Sequence, residues 1–570
     1  MGNEERKDEA APEAAPGDCK RNVSREKKDE DTSGTKRVLA ANTNHYCTST
    51  GGIDGDHDES GVKSIRMLEF FSGIGGMRLS LERALWLLND GDNHDDNDDP
   101  AGSRSSYCDE MIVQSQPQPQ PQTRRSHKRT TFRLDFCRAY DISLHANNVY
   151  RHNFEAGKGN GEKCNETNKN FAVATKLVEQ LRVGTIAKLR TNLWTMSPPC
   201  QPFTTNGRDK KGSDRRLDAE DKRCNGLKGI ISLLDALRRI SITGNSHAAD
   251  ETEGANAIED PLPRWILLEN VKGFANSEMC RQWYECLNRN GYSYKPYLLS
   301  PIDLGIPNHR MRFYVLAERT TRSPRWYVVP QRQQPQHNHA DVNDPDHGDQ
   351  STTVPVPIHD AASLPNRSSS WSGGQAGTTP PTIQTIGTYV FDDDFYAASC
   401  DEPGREQHAA RDGSAEAASR PVVPMSVLSK PWAKNLGIVT KKDTITHCFT
   451  AGYGRIYHRS TGSLLWMGDD TERDDRPPLS EVPLDRSDMT AYEGKLRRFT
   501  PEELLRLFGF VEVDIDGGCG GDEGKSNPFE IPSGVVPSLE QRYKLIGNSI
   551  SVRVVTELLC ELLMDSQGNE

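Results

Sequence analysis

"SIRMLEFFSGIGGMRLSLERALWLL", residues 64–88, changes its pattern halfway. The opening "SIRMLEF" is a short apolar run suited to a strand, whereas from residue 76 onward Met77, Leu81, Ala84, Leu85 and Leu88 fall on one stripe at helical spacing. Between them Gly73, Gly75 and Gly76 mark a tight strand-to-helix turn, which lets backbone approach a ligand and points helix amides toward it. The spacing is not the G-x-G-x-x-G of a dinucleotide-binding turn, so these glycines alone fit a plain connection equally well.

The same alternation continues down the chain. A strand with Phe132, Leu134 and Phe136 precedes a helix "LHANNVYRHNF" (144–154). The strand "NLWTM" (192–196) precedes a helix around "GLKGIISLLDALRRI" (226–240), and the strand "RWILLE" (264–269) follows. "YKPYLLS" (294–300) and "RFYVLAE" (312–318) read as two more strands. Strands and helices in turn predict an α/β, Rossmann-like doubly wound fold with a mostly parallel sheet covered on both faces. Ligands bind such sheets at the carboxyl ends of strands, and "FFSGIGG", "SPPC" and "ENV" all fall at such ends.

Of the 570 residues only 34% are hydrophobic, and the polar excess is clustered. Residues 1–64, 89–130 (with "NDGDNHDDNDDP" and "QSQPQPQPQ") and about 325–420 cannot bury enough apolar surface to offset chain entropy and are expected to be disordered. The same expectation holds more weakly for 242–260, 467–490 and 515–530. No apolar run approaches the roughly 20 residues that span a bilayer, and the chain opens on charges rather than a signal-peptide core. A soluble, intracellular protein without a membrane partner is expected, cytoplasmic with the nucleus as a second compartment. Thirteen cysteines form no C-x-x-C pair, which argues against a metal site and fits reduced thiols. The net charge of −12 sits mainly in the tails and inserts, so it does not exclude local basic patches that bind nucleic acid.

Cys200 follows Pro198 and Pro199, whose fixed φ angles stiffen the strand end. Rigid presentation suits a nucleophile; yet free cysteine is often a buried packing residue, and this stretch alone leaves both readings open. Glu269 closes an otherwise apolar strand, where desolvation would favour its protonated form and suit it to serve a heterocycle nitrogen. Asp141, in "RAYDIS", can accept both hydroxyls of a ribose, and Glu179 can meet an adenine edge. A thiol, a carboxylic acid and a nucleoside-shaped pocket are the parts needed to attack a pyrimidine ring.

At these residues the sequence resembles the cytosine-5 methyltransferase family. "LEFFSGIGGMR", "YDISLHANNVYRHNF", "SPPCQPFTTNGR", "ILLENVKGF", "LLSPIDLGIPNHRMRFYVLA", "LRRFTPEELLRLFGF" and "QRYKLIGNSISVRVV" match its motifs in order. The resemblance implies a catalytic domain over 65–320, completed by 491–565, and a small target-recognition region within 321–490, ordered over 421–490. It implies that Cys200 attacks C6 of cytosine while Glu269 holds N3, that S-adenosyl-L-methionine gives its methyl to C5, and that loss of the C5 proton expels the thiolate. Arg310 and Arg312 would orient the base and the active-site loop; an ordinary salt bridge is the alternative for Arg312. Phe71, Ile74, Gly75 and Gly76 would line the cofactor, Asp141 take its ribose, and Glu179 with Gln180 lie by its adenine. Ser197 would sit nearby, and Asn548 and Ser549 would close the pocket. Asn192 stands where an aspartate is common, which puts the support of the pocket in question.

The family includes DNA-modifying members and a branch that methylates tRNA. Cys448–Phe449–Thr450 in "THCFTAGYGRIYHRSTGSLLW" (446–466) resembles the tRNA branch, and Asn308 stands where DNA-acting members usually carry glutamine. That branch modifies cytosine 38 of the anticodon loop, chiefly in tRNA for aspartate, where the base is already largely unpaired and extrusion is cheaper. Lys210, Lys211, Arg215 and Arg216 in "GRDKKGSDRR" resemble the mobile loop over the substrate, although a solvated charged loop would look the same. Lys441, Lys442 and Arg455 could extend that patch, and "TRRSHKRT" (123–130) reads equally as a basic linker. A DNA cytosine-5 methyltransferase and an inactive module that binds cofactor and RNA stay as alternatives.

Overall fold

The protein was analysed as a computed structural model, which describes residues 62–90, 131–155, 170–204, 218–247, 260–319, 326, 356–364, 381–391, 421–468, 477–513 and 528–564. Strand β1 (Val62–Phe70) runs through the glycine turn into α1 (Gly76–Asp90), as the opening stretch predicts. Then follow β2 (Thr131–Asp141), α2 (Leu144–Phe154), β3 (Phe171–Thr175), α3 (Val183–Leu189), β4 (Leu193–Met196), α4 (Asn225–His247), β5 (Trp265–Val271), α5 (Glu278–Arg289), β6 (Tyr292–Leu299) and β7 (Arg312–Arg319). The seven strands form one sheet in the order β3-β2-β1-β4-β5-β7-β6, parallel except for β7, which is antiparallel to β5 and β6.

The chain moves outward from β1 through β2 to β3 and then returns to β4 on the other side of β1. That reversal creates a crevice beyond the carboxyl ends of β1 and β4, the position at which open α/β sheets hold ligands. On one face α4 and α5 bury Leu227, Ile230, Leu234, Trp283 and Leu287. On the other, α1 packs with a C-terminal helix, α8 (Val552–Met564), through Leu81, Leu85, Val554, Leu558 and Leu562. The last helix of the chain therefore belongs to the sheet layer.

A second, three-stranded sheet consists of β8 (Ile438–Val439), β9 (Leu464–Trp466) and β10 (Leu496–Arg498). Its third strand comes from beyond residue 490, so the expected boundary at 491 cuts through this small sheet. Helices α6 (Pro501–Leu507) and α7 (Leu539–Gly547) complete the C-terminal part. A capping box starts α6, with Thr500 and Glu503 exchanging hydrogen bonds.

Several expectations of disorder need correction. Helix α1 continues to Asp90, and the Asn89 side-chain amide both donates to the Phe132 carbonyl and accepts its N–H, which fastens the end of α1 to the start of β2. Helix α4 continues past 240 to His247. Within 325–420, residues 356–364 lie along the edge strand β6, where Leu298 N–H donates to His359 O and His359 N–H donates to Pro296 O. The Glu561 carboxylate there accepts from Lys295 and Tyr297. Residues 381–391 bury Ile386 and Tyr389 and donate from Gly387 N to Lys441 O. Leu484 and Met489 are buried inside 467–490, and Phe529 inside 515–530. Isolated apolar side chains in polar surroundings hold these pieces, a pattern that composition averages away. Strand β3 was also passed over: five residues at a sheet edge, mostly half-buried, give little periodic signal. Glu179 lies in the helical turn Val178–Gln180 that follows β3.

Candidate active site

The glycine turn is held from below. Asp141, at the end of β2, accepts the Gly73 N–H on Oδ2 (2.9 Å) and the Ser143 N–H on Oδ1 (2.7 Å). Burial raises the Asp141 carboxyl above the usual aspartate range against the pull of these amides. The Ile142 amide also acts on this carboxyl, which leaves lone-pair capacity for a ligand hydroxyl. Gly73 and Gly75 have φ of +55° and +94°, and Phe71, unusually for a bulky residue, has +55°. Phe71 can take its place because a β-carbon at Gly226, at the start of α4, would lie 2.7 Å from its ring.

The thiol loop after β4 meets Glu269, which lies within β5 two residues before its end. Cys200 leads into a helical turn at Gln201–Phe203, and Asn270 Nδ2 donates to the Pro198 carbonyl at 3.2 Å. Gly273 lies so close under the Phe203 carbonyl that no side chain would fit there. Ser197 Oγ donates to Glu269 Oε2 at 2.6 Å, and Arg312 Nε stands 3.3 Å from Oε1. This corrects the expected apolar setting: Glu269 is buried, but with a hydroxyl and a guanidinium on its two oxygens. Burial pushes the Cys200 thiol up and the Glu269 charge adds to this, while Arg312 and Arg310 oppose it. The resting group is therefore the protonated thiol.

Arg310 does something different from Arg312. It is buried, and its guanidinium donates to the carbonyls of Phe449 (2.8 Å), Gly547 (3.1 Å) and Ser549, with the Cys448 sulfur 3.7 Å away. It thus ties the segment at 448–449 to the loop after α7. A β-carbon at Gly547 would collide with the Thr450–Ala451 peptide, so glycine is required for this contact. Asn308 pairs with Thr446, and so the two marks of the tRNA branch are neighbours in space. Phe449, expected to touch substrate, is 0% exposed and packs edge-on against Tyr453 and Phe499; it is a core residue.

A cavity of about 560 Å³ joins these parts. Phe71, Ile74, Gly76, Asp141, Glu179, Ser197, Cys200, Glu269, Arg310, Arg312, Asn548 and Ser549 line it. Gly75, Gln180, Cys448 and Thr450 are not among its lining residues: Gly75 instead admits the rings of Tyr150 and Phe154, and Thr450 lies against Gly547. Lys210, Lys211, Arg215, Arg216 and the 123–130 stretch lie outside the described residues. Asn192 sits at the other end of β4, where Oδ1 accepts from Arg66 N–H and Nδ2 donates to Ser64 O. An aspartate could not donate that second bond, so the asparagine stitches strands far from the pocket. The sequence reading missed Ser72, whose buried hydroxyl lines the cavity without a hydrogen-bond partner among the described residues, and exposed Ile142, Lys222 and Lys544 at the lining. Among the described residues no cluster of His, Cys, Asp or Glu could hold a metal, and no helix is long and apolar enough to cross a membrane.

The chain is 27% identical to the tRNA (cytosine(38)-C(5))-methyltransferase of Rattus norvegicus over 435 residues, covering 74% of this chain and 92% of that protein. It is 26% identical to the DNA (cytosine-5)-methyltransferase of Dictyostelium discoideum, covering 89% and 96%. The S. pombe Dnmt2 methyltransferase structure aligns with 89% of this chain and 100% of its own, at 21% identity and a TM-score of 0.48. Residues 239–563 match the family described as C-5 cytosine-specific DNA methylase, and with more than half the chain inside that match the protein is a member of this family of cytosine C5 methyltransferases.

Proposed function

We propose that the protein transfers a methyl group from S-adenosyl-L-methionine to C5 of cytosine 38 in the anticodon loop of tRNA, with tRNA-Asp as the preferred isoacceptor. The observation that carries the reading is the placement of Cys200 and Glu269 in one cavity with the glycine turn and Asp141. The residues fit the methyl donor. The turn offers an unpartnered Ser72 hydroxyl, Asp141 keeps lone pairs for a ribose, and the cavity has the size of a small-molecule site. When bound, the donor supplies an electrophilic methyl group.

The chain's own groups do the rest. The Cys200 proton passes to Glu269, directly or through water, as the sulfur bonds to C6 of the base; Glu269, held by Ser197 and Arg312, delivers that proton to N3 so that electron density collects at C5, and takes it back when the thiolate leaves. After C5 is methylated, its proton leaves to a base, the C5–C6 double bond reforms, and the Cys200 thiolate departs. Arg310 acts at one remove by holding the segment at 448–449 against the loop at 547–549.

RNA is favoured by the relatives named as tRNA methyltransferases and by the paired positions of Asn308 and Thr446 beside Cys448. The relative named as a DNA methyltransferase supports duplex DNA as the second reading. Cytoplasmic and nuclear residence would fit either substrate. The test incubates the full chain with labelled methyl donor and total tRNA or duplex DNA, beside Cys200→Ala. Label in tRNA, lost by roughly 10³-fold or more in the variant, is expected. Label in DNA alone overturns the RNA reading, and label retained in the variant overturns the mechanism.

A further inference from the structure

One buried carboxyl takes no part in the chemistry above. Glu69 lies at the end of β1, fully buried, and the Tyr150 hydroxyl of α2 donates to its Oε2 at 3.1 Å. Its Oε1 has no hydrogen-bond partner among the described residues, and neither has the hydroxyl of Thr195, its buried register neighbour on β4. The cation that acts on Glu69 is Arg78 of α1, but that guanidinium pairs with Glu82 at 2.9 Å and stacks over the rings of Phe154 and Phe171. Asp141 and Cys137 act on it from β2, and Glu82 from α1. A buried carboxyl without an ion pair is held as the neutral acid. Burial lifts Glu69 to about 8, Asp141 and Glu82 add to this, and Tyr150 and Arg78 oppose it.

This acid sits one layer beneath the glycine turn. Tyr150 joins the two, with its hydroxyl on Glu69 and its ring 3.0 Å from where a β-carbon of Gly75 would stand. Phe71 and Ser72 line the cavity and Glu69 does not, so the carboxyl cannot touch a ligand there. It can still respond to the ligand's charge, because field is poorly screened across a layer of buried side chains. The donor and its demethylated product differ in this respect. The donor has a sulfonium and an ammonium against one carboxylate and is a net cation; the product has a neutral thioether and no net charge.

We propose that Glu69 discriminates donor from product by charge: it is protonated in the free protein, gives up its proton as the cationic donor binds, and regains one once the neutral product remains. Charge balances, since the neutral acid and the cationic donor give a carboxylate paired at a distance with a sulfonium, plus one proton delivered to water. The donor is thereby favoured over the product. This inference rests on the methyl-donor part of the function proposed above and not on which nucleic acid is methylated.

The test titrates the full chain calorimetrically with S-adenosyl-L-methionine and with S-adenosyl-L-homocysteine, in buffers of differing ionisation enthalpy, to count protons released. Glu69→Gln keeps the neutral shape and serves as the comparison; the amino groups of both ligands titrate alike in wild type and variant, so their difference isolates the carboxyl. If donor binding lowers the carboxyl by about one unit, wild type should release about half a proton more than the variant near about pH 7.5. Its preference for donor over product should also rise roughly sevenfold more than the variant's between about pH 6.5 and about pH 9. Tyr150→Phe removes a bond that favours the carboxylate and should move that rise to higher pH. Near about pH 8 the folded wild type holds a proton that the unfolded chain has lost, which costs stability, so Glu69→Gln should melt no lower than wild type there. Equal proton release by wild type and Glu69→Gln overturns the proposal, as does equal release with donor and product. Failure of wild type to bind the donor at all overturns the methyl-donor reading together with it.

Discussion

Two cysteine-bearing stretches meet around one cavity and are built on different principles. In "SPPCQPF" the backbone is stiffened by prolines, braced by Asn270 and padded by Gly273, and Cys200 is left at the cavity lining beside Glu269. In "THCFTAG" Thr446 and Phe449 are buried, the Thr450 backbone is pressed on Gly547, and the Cys448 sulfur reaches toward Arg310, while His447 is exposed. The first presents a reacting group, whereas the second shapes the wall behind it. A motif that marks a branch need not touch the substrate; it can act by fixing where Arg310 and the loop at 547–549 stand.

The largest effect that separates the two roles is on stability. Phe449→Ala removes a ring packed between Tyr453 and Phe499 and should cost about 3–5 kcal/mol, read as a lowered denaturation midpoint. Activity should fall only in step with the folded fraction. If the variant keeps its stability and loses tRNA affinity instead, the contrast breaks and Phe449 returns to the substrate surface.

This difference also explains what the sequence could reveal. The β1–turn–α1 unit was legible because a short apolar run gives way to a period near 3.6 across three glycines. The reacting pair was legible because Cys200 and Glu269 sit at strand ends, where local pattern predicts position. The brace on each was not legible: Ser197 reaches Glu269 across 72 residues, and Asp141 reaches Gly73 across 68. The burial of Phe449 depends on Tyr453 and Phe499, which nothing in its own triplet announces. The anchors at 356–364 and 381–391 were lost for the same reason, since each rests on one or two side chains paired with partners far away in the chain.

Ser197 gives the next effect. The family resemblance places it near the methyl donor, but its hydroxyl donates to Glu269 at 2.6 Å. Ser197→Ala removes one buried hydrogen bond from the carboxylate that serves N3, and should lower kcat about tenfold, the scale of a hydrogen bond to a charged group. The melting temperature and the affinity for S-adenosyl-L-methionine should stay close to wild type. A loss of donor affinity with kcat intact would instead assign Ser197 to the cofactor and detach it from the thiol loop's chemistry.

The smallest expected effect is the sharpest test of the comparison. Cys448 is the residue that most invites a chemical role, because it is a second thiol close to both arginines. Its contact with Arg310 is long, 3.7 Å, and that guanidinium keeps the carbonyls of Phe449, Gly547 and Ser549 whether or not the sulfur is present. Cys448→Ala should therefore reduce kcat/KM by no more than about threefold, the scale of one weak neutral contact. Arg310→Ala, which leaves those carbonyls unpaired in a buried wall, should do far more damage. A loss of a hundredfold or more in Cys448→Ala, with folding and donor binding intact, would mean that the second thiol takes part in the reaction, and that the two stretches share one task.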